Sequence, residues 1–246
     1  MPLGVAEGIA NGVGEVRACV RYQIRHGAKV IKVSASGGVM SHSTSPGSQQ
    51  YSDEEFEAIT DEAHRAGIRV AAHAVGDSAV QACIRAGVDC IEHGFLATPE
   101  SIQMMVDHGT FLVSTTYLTE AMAIERAAPE LQKKAAEIFP RAKAMLPKAI
   151  AAGVKIACGT DAPAIPHGQN ARELVALVDR GMTPIQALRA ATVTSAELIQ
   201  MDDELGRLAA GYLADVIAVP GDPSEDITTT QDVLFVMKEG RIYKHV

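Results

Sequence analysis

The chain has 246 residues, 47% of them hydrophobic and 21% charged, enough apolar material for a sizeable core in one large domain, or in one domain plus a small lobe. Its formal net charge of −8 is spread along the chain with no basic patch interleaved with aromatics, which speaks against nucleic-acid and anionic-membrane partners. No apolar run approaches the roughly 20 residues of a membrane span, and Met1-Pro2-Leu3-Gly4 lacks the charged start and long apolar core of a secretory signal, so a cytoplasmic location is expected.

Five times a helical pattern ends in a glycine and an apolar strand follows: "RHGAKVIKVSA", "RAGIRVAAHA", "RAGVDCIEHG", "DHGTFLVSTT" and "AAGVKIACGTD". These read as βα repeats, with long loops after the first and fourth strands. In the first repeat Lys32 interrupts the β-branched run of Val30, Ile31 and Val33, which predicts a buried strand where an ammonium costs free energy unless compensated. Ser52-Asp53-Glu54-Glu55 is a capping box that opens a helix running to Ala66. Thr98-Pro99 and Thr183-Pro184 each place a capping hydroxyl before a proline at the first helical position. Pro140 and Pro147 are expected to kink or divide the helical segment that begins near Pro129. After about residue 204 the pattern changes to short strands and turns, "GRLAAGYLADVIAVPGDP" and "VLFVMKEGRIYKH", with Lys-Glu-Gly suited to a hairpin. The expected division is residues 1–204 as the βα part and residues 205–246 as a small β lobe.

Parallel strands joined by helices suit a doubly wound sheet or an eight-stranded barrel. The glycine-rich phosphate fingerprint of the first is missing, since neither "SASGG" nor "HAVGD" matches it, so the barrel is the better reading. A closed barrel needs eight units and five are visible; the other three are expected before residue 1. Lys32, His73, His93 and Asp161 fall near the carboxyl ends of four different strands, which in a barrel converge on one face. Singly, each has an ordinary explanation: a hydrogen-bonded core histidine, a capped turn, a lysine at the barrel mouth with its head in water. Jointly they favour a shared site. Two imidazoles and a carboxylate suit a divalent metal such as zinc, whereas a protonated lysine does not. Carboxylated by CO2, Lys32 would become a carbamate whose two oxygens can bridge two cations.

With these residues the chain resembles the amidohydrolase superfamily, through Lys32 in "IKVSASGGV", His73 in "AAHA", His93 in "IEHG" and Asp161 in "GTDAP". "QYSDEEFEAITDEAH", "GMTPIQALRAAT" and "LGRLAAGYLADVIAV" resemble the branch of Xaa-Pro dipeptidases and imidazolonepropionase-like hydrolases. The resemblance implies an α/β fold, an incomplete TIM (β/α)8 barrel contributing strands four to eight, with a small β-sandwich portion at the C-terminus. It also implies that Lys32, His73, His93 and Asp161 ligate two divalent ions, with zinc the expected metal. The activity implied is metal-dependent hydrolysis of amide bonds in small molecules, most of all dipeptides, with Asp161 as both ligand and acid/base. Family members begin with an H-x-H pair that this chain lacks, so it is expected to start near the third or fourth unit of a longer protein. Cyclic-amide hydrolysis, or a truncated module without activity, are the alternatives, and self-association stays open.

Tyr117, His42 and His167 lie in segments that follow strands and are the candidates for substrate contact, with a packed ring or a solvated loop as their ordinary roles; for His42 the solvated loop is preferred. His64 and His108 sit at helix ends where a cation suits the dipole, and Met104 and Met105 suit packing. Cys19, Cys83, Cys90 and Cys158 form no C-x-x-C pair and read as reduced, mostly buried thiols.

Overall fold

The computed structural model describes residues 4–41, 45–122 and 124–246. In chain order its main elements are α1 (Gly12–Arg25), β1 (Val30–Ser34), α2 (Asp53–Arg65), β2 (Arg69–Ala74), α3 (Asp77–Arg85), β3 (Cys90–His93), α4 (Pro99–His108), β4 (Phe111–Val113), α5 (Leu118–Ala121), α6 (Pro129–Ala152) and β5 (Ile156–Ala157). They continue with α7 (Ala171–Asp179), α8 (Pro184–Ala191), α9 (Val193–Leu198), β6 (Val216–Ala218), β7 (Phe235–Lys238) and β8 (Arg241–His245). Strands β1 to β5 form one sheet in sequence order, every neighbouring pair parallel. Sequential order with helical crossovers is the arrangement of a barrel wall, and differs from the reversal of strand order in a doubly wound sheet.

Side chains alternate across this sheet. Ile31, Val33, Val70, Ala72, Ile91, Leu112 and Ile156 point to the helices and belong to the main buried cluster, with Phe56 and Ile59 of α2, Ile84 of α3 and Met105 of α4. The capping hydroxyls fall where expected: Ser52 accepts from the Glu55 amide and Glu55 returns to the Ser52 amide at 2.7 Å, while Thr98 and Thr183 cap α4 and α8 ahead of their prolines.

Two expectations change. Pro140 and Pro147 do not divide their segment, which is a single 24-residue helix. Leu131, Ile138, Phe139, Met145 and Leu146 bury one side of α6 across both prolines, and this packing outweighs the lost backbone bonds. The strand around Lys32 is buried on one face only. Its pattern alternates, with Val30 51% exposed and the Lys32 side chain equally so, and Lys32 is the middle residue of β1. Its ammonium therefore reaches water without any modification, and the β-branched run signalled a half-buried strand.

The remaining strands form a separate antiparallel sheet, β6-β7-β8. Glu239 and Gly240, both at positive φ (50° and 77°), make the two-residue turn between β7 and β8. This is the primed hairpin geometry that matches strand twist.

Candidate active site

The second face of the parallel sheet carries Lys32, Ala71, His73, Cys90 and Glu92, placed side by side by the register Lys32 to Ala71 to Cys90 and His73 to Glu92. His73, one residue before the end of β2, reaches this face by ordinary alternation. His93 does not: it follows Ile91 by two residues, so alternation would send it toward the helices. A positive φ of 71° breaks the alternation at the strand end, and the two imidazoles meet edge to face with ring centroids 4.7 Å apart.

Thr115, also at positive φ (46°), lies 2.8 Å from His93 Nδ1 through its hydroxyl oxygen. That hydroxyl spends its single hydrogen on the Ser114 carbonyl at 2.8 Å, so toward His93 it is an acceptor and Nδ1 donates. The hydrogen-bond network thus assigns the Nδ1–H tautomer and leaves a lone pair on Nε2. Burial, followed by the neighbouring His73 and the Lys32 charge, drives the His93 pKa down to about 3. His73 is lowered as well, by burial first and Lys32 second. Both rings are neutral near pH 7. At His73 the neighbouring backbone approaches closely, since a Cβ on Gly38 would stand 2.9 Å from Nε2; glycine there leaves room for that nitrogen.

Asp161 lies beyond β5, which ends at Ala157, in the following loop and not on the strand as its sequence position suggested. Its φ of 57° is a third break of the extended backbone at this end of the sheet. The carboxyl is exposed at the rim, yet partial desolvation raises its pKa, opposed by the Lys32 charge. Asp161, His73 and His93 line one cavity of ≈ 300 Å³ whose other walls include Val75, Phe95, Phe139 and the 38–41 segment.

Lys32 stands outside that cavity, its Nζ 3.9 Å from Glu92 Oε1, although its charge acts on His73, His93 and Asp161. Tyr117 is buried and also outside the cavity; its hydroxyl donates to Gln169 at 3.1 Å and accepts from Arg172 at 3.1 Å. His167 is exposed and does not line the cavity. His42 falls outside the described residues. Gly38 and Thr115 went unremarked in the sequence because their role is to stand next to an imidazole from another strand, which no local motif announces.

Among the described residues, no three His, Cys, Asp or Glu side chains gather closely enough to form a metal-holding group. The donor chemistry nevertheless fits a divalent cation: two neutral imidazoles side by side, one with its tautomer set, and a carboxylate on the same cavity.

Residues 2–243 match the family described as Amidohydrolase family. The chain belongs to that family. It is 41% identical over 244 residues to the Aspergillus niger protein named ochratoxinase, with 96% of this chain and 50% of that protein covered. A solved structure of a Xaa-Pro dipeptidase with methionine bound in its active site matches with a TM-score of 0.95 at 38% identity, covering 99% of this chain and 61% of the other. The crystal structure of A. niger ochratoxinase matches with a TM-score of 0.87 at 40% identity, covering 97% and 56%. The chain spans about half the length of the curated relatives it matches. Its five-stranded sheet is part of the family's TIM barrel, and the dipeptidase resemblance seen in the motifs has a counterpart among these neighbours.

Proposed function

We propose that this amidohydrolase cleaves C–N amide bonds of small molecules, dipeptides foremost, at the cavity bounded by His73, His93 and Asp161. The observation that carries the reading is the pair of imidazoles set against each other beside a carboxylate on one small cavity. The names of two relatives, Xaa-Pro dipeptidase and ochratoxinase, support the reaction class. His73, His93 and Asp161, with Lys32 as a carbamate, would hold two divalent cations such as zinc. When bound, such cations lower the pKa of water toward neutrality and polarise a carbonyl.

The chain's own groups do the rest. The Asp161 carboxylate accepts a proton from the attacking water and returns it to the leaving amine nitrogen. Phe95, Phe139 and Val75 form an apolar wall that receives an apolar substrate side chain and excludes water. Residues 1–204 carry the site, and residues 205–246 are a structural lobe. The case for a carbamate on Lys32 comes from the family resemblance alone, because the ammonium is not buried.

The test combines zinc titration calorimetry with assays on Xaa-Pro and Xaa-hydrophobic dipeptides. Hydrolysis is expected to depend on added metal; Lys32→Glu should keep part of the metal binding and Lys32→Ala should lose it. An unmodified Lys32 mass in active, metal-loaded protein removes the carbamate from the proposal. Hydrolysis that survives His73→Ala unchanged removes the site.

A further inference from the structure

Glu173, in the first turn of α7, is only 1% exposed. It forms no ion pair among the described residues. Instead its two oxygens divide between consecutive backbone amides: Oε1 accepts from the Thr116 N–H and Oε2 from the Tyr117 N–H, each at 2.8 Å, while the Ser114 hydroxyl approaches Oε1 at 3.4 Å. Ser114, Thr116 and Tyr117 surround Thr115, the residue whose hydroxyl receives the His93 Nδ1–H. Thr115 holds a φ of 46°, uncommon for any residue but glycine and more so for a β-branched one, so the surrounding structure must impose it. A carboxylate is suited to that task because both oxygens accept, and the amino end of α7 favours its charge. Burial raises its pKa to about 7 despite these three bonds, so the position carries a cost that simple packing would avoid.

We propose that Glu173 is a positioning residue for the histidine pair: by clamping the amides of Thr116 and Tyr117 it holds the Thr115 hydroxyl against His93 Nδ1 and so keeps the Nε2 lone pair free in the cavity. The functional meaning of this clamp rests on the proposed hydrolase reading, but the clamp itself can be tested without metal or substrate.

The experiment uses the full chain labelled with 15N-histidine and free of metal, and reads the His93 ring tautomer from its nitrogen shifts. The unsubstituted chain should show the Nδ1–H form. Glu173→Gln places an amide NH2 against one backbone N–H, and should replace that signature with mixed tautomers while near-ultraviolet circular dichroism stays native. Thr115→Ser should preserve the signature and Thr115→Ala should lose it, and in the Thr115→Ala chain the Glu173→Gln change should add nothing.

Should Glu173→Gln fail to fold, Glu173→Asp, which keeps the charge one methylene short, takes its place with the same expected loss. A folded Glu173 variant with an unchanged Nδ1–H signature overturns the proposal, as does a Thr115→Ala chain that keeps it. Loss of fold in both Glu173 variants assigns the residue to stability alone and overturns it equally. Absence of hydrolase activity would leave the tautomer result standing, whereas an unchanged tautomer would leave the hydrolase reading standing.

Discussion

Ile31, Val70, Ala72, Ile91 and Leu112 point to the helices and are almost completely buried, while Val30, Lys32, His73 and Glu92, one or two residues away on the same strands, face the other side and retain contact with water. The first set is interchangeable in kind: branched or small apolar groups that fill space against helices. The second set is mixed in chemistry and less covered, and the two imidazoles and the Asp161 carboxyl, with shifted pKa values, lie on it or at its carboxyl end. One strand thus serves packing and chemistry on alternate residues. The second face closes over toward β4, where Cys90, Phe111, Val113 and Ala157 form a buried cluster of their own, and side-chain alternation itself is interrupted where the backbone leaves extended geometry, at His93, Thr115 and Asp161, all with positive φ.

The largest expected effect falls on the second set. Asp161→Asn is nearly isosteric and sits at an exposed rim, so the denaturant midpoint should hardly move, whereas turnover should fall by about 10²–10⁴-fold, the usual worth of general acid/base help. Steady-state rates on a dipeptide, beside urea unfolding of the same sample, check it. A variant with near-normal turnover would take Asp161 out of the mechanism and leave the chemistry to the histidine pair and Lys32.

How much of this could be read in the sequence follows the same division. The βα repeats, the proline caps and the hairpin at Glu239-Gly240 were legible because each rests on residues close together in the chain. His73 and His93 were legible as strand-end residues, but their mutual contact was not, since alternation alone places His93 on the opposite side. Lys32 was misread as buried because a β-branched run looks alike whether one face of the strand is covered or both. Glu173 gave no local signal at all: in "NARELVALVDRG" it reads as a first-turn acid near a helix amino terminus, and its partners lie 56 and 57 positions away.

Stability measurements should separate the two faces next. Ile91 is fully buried on the helix side, and Ile91→Ala should cost about 2–5 kcal/mol, the range for deleting a large aliphatic side chain from a packed core. Two strands away on β1, Val30 is half-exposed, and Val30→Ala should stay within about 0.5 kcal/mol. Equal losses from the two would mean that the second face is packed as tightly as the first, and the contrast would fail.

Glu173 offers a pH test at the loop that joins the two faces. Its pKa is raised from 4.5 to about 7, chiefly by burial, with the Tyr117 and Thr116 amides and the Ser114 hydroxyl opposing. The folded state therefore holds this proton more tightly than the unfolded one. The resulting stability is fully present below about pH 4.5, where both states are protonated, and declines as pH rises through the folded pKa near 7. At about 1.4 kcal/mol per pKa unit, the difference between the two ends is on the order of 3 kcal/mol. Urea unfolding from pH 4.5 to 8.5 should show that decline superimposed on the other titrations, and subtracting the same series for Glu173→Gln should isolate it. Parallel curves for the two chains would mean that Glu173 keeps an ordinary pKa in the folded protein. The Thr116 and Tyr117 amides would then offset the whole cost of burying the carboxylate, and the clamp would hold the Thr115 segment equally at every pH of the series.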